Sequence, residues 1–334
     1  MEHLVRLRYW WFALSALIIL PGLYFLLLHP LVTTGQFQLG LRTGIDFSGG
    51  SLWEIHFQER SFEELSTAEI AQVFEEQGFP DAQVQFSQIT VQGQPIAAAI
   101  VRTRPLDANN RTQEQNAVMS SLNETFGGTT LESEQTVGAT VSQESTQSAI
   151  IAVFGASIVI LLYLTWAFRK APHPVRYGIC AIIAMLHDVL LILGVAAILG
   201  VFIGLEVDAL FLTALLTILS FSVHDTIVVF DRIRENLISR RYGQQFDDLV
   251  NLSLVQTLTR SINTQMTTFF TLTSLLLFGG DSIRNFVLIL LIGLISGTYS
   301  SIFNAAQFLV VWENREWQTW FGRGSSSTPV GGSA

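Results

Sequence analysis

VDALFLTALLTILSFSVHDTIVVFDRIREN, residues 207–236, sets the architecture. Its first 24 residues are apolar enough and long enough to cross a bilayer, which takes about 20 residues in a helix. Within that run Thr213, Thr217, Ser220 and His224 recur at spacings of 4, 3 and 4, so they form one polar stripe on a helix. Ionisable side chains inside a span cost about 2.5–3.5 kcal/mol each on insertion scales, and a polar stripe must face protein or water. The run ends in a charged segment, Asp231 to Asn236, as a helix leaving the membrane would.

Comparable apolar runs lie on either side. They cover 10–28, 149–168, 177–200, 256–279 and 285–311, giving six predicted membrane helices grouped as one plus five. The first run follows Arg6 and Arg8, is longer than a signal-peptide core and lacks a small-x-small cleavage site close to its end, so it reads as an uncleaved helix. The fifth carries Arg260, Thr264, Thr267, Thr271 and Ser274 at spacings of 4, 3, 4 and 3. This second polar stripe is expected to face the first.

With 49% hydrophobic and 13% charged residues, the composition is hard to reconcile with one soluble globular domain, and a membrane protein is the first reading. The formal charge is -9, but residues 31–148 hold 15 acids against five arginines, so the acidity belongs to that segment. A single cysteine, Cys180, precludes an intrachain disulfide, and structural zinc spacing is absent. With Lys170 the sole lysine, a nucleic-acid surface is not expected. Short-loop basic residues sit at Arg6 and Arg8, at Arg169, Lys170 and Arg176, at Arg232, Arg234, Arg240 and Arg241, and at Arg315 and Arg323; opposite them is Arg284. The bias predicts both termini in the cytoplasm and residues 29–148 as one external domain.

That domain reads as β-α-β-β-α-β, a ferredoxin-like α+β order. A strand lies near 51–57, and a helix starts near Ser66 with Glu69 completing a capping box and Ile70, Val73 and Phe74 facing inward. Strand-like stretches flank the turn QGQP (92–95), Val118, Leu122 and Phe126 mark a second helix, and 130–141 reads as a final strand. Asp46, Gly49 and Gly50 in GIDFSGGS mark a tight turn rather than a phosphate loop, since no GK[ST] follows. Between 231 and 259, Phe246, Leu249, Val250 and Leu254 form one apolar face of a segment expected along the membrane surface. The Gly/Ser-rich end from about 323 is expected to be disordered.

The ionisable residues within predicted spans are His187, Asp188, His224, Asp225 and Arg260. Successive helical residues are about 100° apart, so in each His-Asp doublet one side chain points elsewhere. Two readings remain open: a carboxylate paired with Arg260 that only holds helices together, or an acid that alternates between a proton and the arginine and so converts ion entry into helix movement. A metal phosphohydrolase does not suit doublets in apolar helices. Gly293, Gly297 and Ser301, at four-residue spacing in the last helix, read as a small-residue packing face.

The motifs GIDFSGGS, VGATVSQES, HDV, SVHDTIVVFDRIREN, RSINTQMTT and GTYSSIFNA, in this order, resemble the SecD/SecF protein-export family on its SecF side, a relative of the resistance-nodulation-division transporters. The resemblance covers roughly 5–315. It implies an accessory of the SecYEG channel in the bacterial inner membrane, acting after the ATP-driven SecA stage, paired with SecD, with YajC and a YidC-type insertase nearby and unfolded preproteins as cargo. It also implies transport rather than enzymatic work, with protons, or sodium, as the coupling ion and no further cofactor. Carried over by motif, Asp225 and Arg260 are the coupling residues with His224 beside them, His187, Asp188, Thr264 and Thr267 are accompanying polar groups, and Asp231, Arg232 and Arg234 have a conformational role at the cytoplasmic end. The chain departs from the family pattern at Ser220-Phe221, where Gly-Tyr is usual, at His224, often Asn, and at Ala139, often Pro. A homodimeric exporter of small molecules or lipid, or a scaffold without ion coupling, would share many of these features.

Overall fold

The computed structural model describes residues 4–91, 94–169, 173–240 and 242–320. In chain order it contains α1 (Arg8–Leu23), a π-helical turn (Tyr24–Leu28), α2 (His29–Thr34), α3 (Ile45–Ser48), β1 (Gly50–Phe57), α4 (Thr67–Glu76), β2 (Gln83–Val91), β3 (Gln94–Thr103), α5 (Arg111–Phe126), β4 (Thr129–Val137), α6 (Ala139–Ala167), α7 (Pro174–Ile203), α8 (Ala209–Ile238), α9 (Phe246–Phe278), α10 (Asp281–Ser300), a second π turn (Ser301–Ala305) and α11 (Ala306–Glu313). Two compact units result: residues 43–151, and the remaining helices.

In the first unit the sheet order is β2-β3-β1-β4, antiparallel throughout. Alternation along β1 turns Trp53, Ile55 and Phe57 to one face, where Ala97, Ala99 and Val101 of β3 join them. Ile70, Val73 and Phe74 of α4 and Val118, Leu122 and Phe126 of α5 close the same core. Trp53 is fully buried, and its indole N–H donates to Thr103 Oγ1 at 3.0 Å, so the ring's one polar atom is satisfied. A register shift between Glu54 and Ile55 leaves Glu132 of β4 outside the ladder. The capping box forms one turn earlier than expected. Ser61 and Glu64 cap a short 3₁₀ turn, whereas Ser66 makes no side-chain cap at α4. Gly49 and Gly50 have φ of 73° and 125°, backbone that side chains rarely adopt, and they follow the single helical turn of α3 that carries Asp46.

Among the described residues five helices are long and apolar enough to cross a membrane: Val5–Thr34, Ala139–Ala167, Pro174–Ile203, Ala209–Ile238 and Ile283–Glu313. The sequence reading expects six. The remaining one, 256–279, lies within the 33 residues of α9, where Arg260, Asn263, Gln265 and a run of threonines lower the hydropathy. Nor does a separate surface helix occupy 231–259. Asp231–Ile238 ends α8, and with no Gly or Pro between 246 and 278, α9 runs unbroken from Phe246. Its apolar face of Phe246, Leu249, Val250 and Leu254 is buried among Val229, Phe230, Ile233, Leu309 and Val310 instead of lying on lipid. α6 likewise starts at Ala139, ten residues before the predicted 149, and β4 stops at Val137.

Glycines set the helix crossings. A Cβ added at Gly22 of α1 would lie 2.7 Å from the Cα of Gly194 in α7, and one at Gly293 of α10 would lie 2.2 Å from Ile218 Cδ1 of α8. Gly297 faces Ser222 at 3.2 Å, and Ser301 is buried one turn on. Small residues thus admit close backbone approach, the main source of helix association where no hydrophobic drive exists. Gly194→Leu is expected to lower stability by about 1–3 kcal/mol through overpacking, whereas Gly155→Leu, with nothing within 4 Å of its added Cβ, should be neutral; thermal unfolding of the two variants in detergent compares them.

At one end of this unit the termini are tied to α9. Arg8 makes two bonds to Glu316, at 2.5 and 3.1 Å, and one to Asp247 at 3.1 Å. Tyr9 donates to Glu316 at 2.7 Å, and Asn314 donates to Asp247 at 2.7 Å. Arg176 pairs with Glu313 nearby. Burial alone would raise the Glu316 pKa, but hydrogen bonds from Tyr9, Arg8 and Asn314 outweigh it and hold the carboxyl below its ordinary 4.5. Its stabilising effect is therefore complete above that value and lost as pH falls through the folded pKa. Unfolding midpoints should drop on acidification through this range, and drop less in Glu316→Gln. Lys170, Arg241, Arg323, the tail from 323 and Gln92-Gly93 of the QGQP turn lie outside the described residues.

Candidate functional site: two buried carboxylates

α8 carries Asp225 on the face turned to α9, where it is 2% exposed. Gln265 of α9, itself buried, donates through Nε2 to Asp225 Oδ2. Ser261, one turn before Gln265, is buried on the same face.

One turn before Asp225, Ser222 donates to a second carboxylate. Asp188 of α7 is wholly buried, and all four acceptor positions of its carboxylate are used. Ser222 and Ser300 each donate to Oδ2 at 2.6 Å, Ser296 donates to Oδ1 at 2.8 Å, and His187 Nδ1 lies 3.1 Å from Oδ1. Three helices therefore meet at one side chain. Ser296 and Ser300 share a face of α10 because they are four residues apart, and Gly297 between them lets α8 come close enough for Ser222 to reach. The His187 ring lies 6.3 Å from that of Tyr299, whose hydroxyl donates to the Trp11 carbonyl at 2.7 Å. Ser15 of α1 and Asn304 of the π turn exchange hydrogen bonds beside it, at 2.9 and 3.1 Å. π turns leave the regular ladder at functional positions more often than chance. This one follows directly on Ser300.

Arg260 is not brought to Asp225. It is exposed, and the two form no ion pair. The cause is helical geometry: Gln265, which does reach Asp225, is five residues on, about 140° around α9. The stripe of Arg260, Thr264, Thr267, Thr271 and Ser274 is exposed along its whole length, as are Thr213, Ser220 and His224 of the other stripe. They do not face each other across an interface. Hydroxyls of Thr213, Thr217, Thr264, Thr267 and Thr271 instead donate to carbonyls of their own helices, which leaves those hydroxyls satisfied and the stripes uncovered. His224 and Ser220 line an open groove between α6 and α8 with Tyr163. In the charged segment, Asp231 pairs with Arg234 at 2.7 Å, Arg232 pairs with Glu235 and reaches Gln256 at 2.7 Å, and Arg234 lies 6.0 Å from the Phe168 ring centroid.

Four side chains that bind the two acids, Ser222, Gln265, Ser296 and Ser300, went unmarked by the sequence reading. The signal for two of them exists in the four-residue spacing of Ser296 and Ser300. Among the described residues no group of three or more His, Cys, Asp or Glu is placed to hold a metal.

Residues 117–315 match the profile of the family described as protein export membrane protein SecD/SecF, C-terminal. Over 324 residues the chain is 48% identical to the protein translocase subunit SecF of Thermobaculum terrenum, which covers 97% of this chain and 98% of that one. Over 290 residues it is 33% identical to the protein translocase subunit SecDF of Thermus thermophilus, covering 87% of this chain but 37% of the relative. Among solved structures, the crystal structure of SecDF, a translocon-associated membrane protein from Thermus thermophilus, is similar with a TM-score of 0.73 at 30% identity, over 93% of this chain and 38% of that chain. Our chain thus spans well under half of the fused protein and nearly all of the separate SecF subunit. With a profile match over more than half its length and end-to-end likeness to SecF subunits, the chain belongs to the SecD/SecF family of protein-export membrane proteins.

Proposed function

We propose that the chain is the SecF subunit of the accessory Sec translocase, which works with SecD to draw preproteins through SecYEG after the SecA stage, using the proton gradient. The observation that carries the need for a partner is the uncovered face of α8 and α9. Arg260 and His224 are exposed on helices that would lie in the bilayer, and an ionisable group there is costly unless it meets protein or water. A second membrane protein is the fitting cover, and the fused relatives join a SecF-like part to a SecD part in one chain. In this reading α9 is the sixth membrane helix, the β-α-β-β-α-β unit is ferredoxin-like and periplasmic, and both termini are cytoplasmic in the inner membrane. YajC and a YidC-type insertase are further partners in this reading.

Asp225 is the coupling acid. It is buried next to the uncovered face, its neighbour Gln265 can hold either of its protonation states, and Ser222, one turn before it on α8, bonds to Asp188. A proton, or sodium, that exchanges at Asp225 changes what α8 and α9 hold between them, while Arg260 meets the partner's acid across the interface. The external unit contacts emerging chain.

A photocrosslinking residue placed at Thr267, on the exposed stripe, tests the cover. Irradiation in membranes should join position 267 to SecD, whereas the same residue at Ile150, also exposed, should not reach it. Crosslinking between two copies of this chain instead would favour the homodimeric exporter and refute the SecD assignment.

A further inference from the structure

Among the described residues Asp225 has one hydrogen-bond partner, Gln265 Nε2 of α9, whereas Asp188 has four. That single bond sits at a boundary in α9. Toward Phe246 the helix is packed: Phe246, Leu249, Val250 and Leu254 lie in the core, and Arg232 and Asn236 of α8 reach Gln256 and Ser253 at 2.7–2.9 Å. Gln265, 7% exposed, is the last buried residue of α9, and none of 266–278 is buried. Asp225 therefore holds α9 at the point where its packed part ends.

The strength of this hold depends on charge. An amide N–H that donates to an ionised carboxylate makes a bond roughly twice as strong as a neutral one, and a low-dielectric interior does not dilute the difference as water does. A protonated Asp225 can still bond the amide, but only as a neutral pair. Ser261 Oγ, one turn before Gln265 on the same buried face, has no partner, so no further bond backs this one. The ionisable groups on the other helices packed against α8 are engaged elsewhere or turned away. His187 and Asp188 of α7 bond to each other, Tyr299 of α10 donates to a backbone carbonyl, Glu313 of α11 pairs with Arg176, and Arg260 of α9 is exposed. His224, next to Asp225 on α8, lines the groove toward α6.

We propose that Gln265 is the positioning residue through which the charge on Asp225 sets the seating of α9 on α8. The ionised acid holds residues 266–278 close to α8, and protonation lets them swing away about the packed part. The proposal rests on the reading of Asp225 as the coupling acid and supplies the step from proton exchange to helix movement.

Nitroxide labels at Thr213→Cys of α8 and Leu277→Cys of α9, both exposed, report the swing, with Cys180, the one native cysteine, replaced by alanine. The two helices run antiparallel, so each label stands about 18 Å further along its helix than Asp225 or Gln265. Distances are measured by pulsed electron resonance on the full chain with SecD in nanodiscs, across a pH series. The protonated-carboxyl infrared band that Asp225→Asn removes marks the pH at which the acid takes up its proton. The expected result is a population of longer distances that grows about ten-fold across that same pH, the difference between a charged and a neutral hydrogen bond. Gln265→Leu should show the longer distances at every pH, with Gln265→Met as the alternative variant and unchanged circular dichroism confirming that each is folded. A glutamine that only fills space would not make the distances of the unaltered chain follow pH. Distances that stay constant while the infrared band appears overturn the proposal and leave the reading of Asp225 intact, as do distances that follow pH equally in Gln265→Leu. Absence of the band throughout the series overturns that reading and the proposal with it.

Discussion

Asp188→Ala is expected to lower the unfolding free energy of the helical unit by about 2–4 kcal/mol, the largest stability loss of any single polar substitution in it. The substitution removes the shared acceptor of three serine hydroxyls and the partner of His187 Nδ1 at the meeting point of α7, α8 and α10, with Ser300 keeping a 3.3 Å bond to the Gly297 carbonyl. Hydrogen bonds between membrane helices average about 0.6 kcal/mol each, and three of them, together with the His187 contact within α7 and a cavity in place of the carboxylate, reach the stated range. Asp188→Asn should cost less, since serine hydroxyls can rotate to accept from the new amide. Asp231→Asn, at an exposed carboxylate whose partner lies on its own helix, serves as the neutral control. Thermal unfolding of the full chain in detergent makes the comparison, and an Asp188→Ala midpoint equal to that of the unaltered chain would show that the junction holds nothing together.

How far the residues alone lead is clear from α8 and α9. Hydropathy finds α8 and periodicity the second part of α9, with the polar stripes correctly placed in sequence, because 3.6-residue periodicity is a local property. What the stripes face is not local. The reading expected them to oppose each other, but the face of α9 that meets α8 is Ser261 and Gln265, and the stripe headed by Arg260 is turned about 140° away. An arginine in a predicted span draws attention to itself through its charge, while a glutamine of equal consequence does not. The same holds for Asp188: its cost in a span is legible, but its compensation by Ser222, Ser296 and Ser300 depends on a close approach at Gly297 that only the assembled helices display.

The order of elements in residues 43–151 was accessible because alternation in strands and four-residue spacing in α4 and α5 point to one core. Boundaries were less so. A helix propagates cheaply once nucleated, which carries α6 back to Ala139 and joins the two halves of α9, and the apolar face that resembled a membrane-surface helix proved to be ordinary core.

The second large effect concerns coupling. Asp225→Asn keeps the shape of the side chain and its contact with Gln265 but removes the proposed site of proton exchange, so the variant should fold, bind SecD and lose the contribution of the gradient. One charge moved through the full field supplies about 2.3 kcal/mol per 100 mV, enough for a rate difference of tens of fold at ordinary membrane potentials. The most direct test is preprotein export into vesicles containing SecYEG, SecD and this chain, with and without an imposed proton gradient. The account predicts that the gradient accelerates export with the unaltered chain and leaves Asp225→Asn at the gradient-free rate. An Asp225→Asn chain that responds to the gradient as fully as the unaltered one would contradict it.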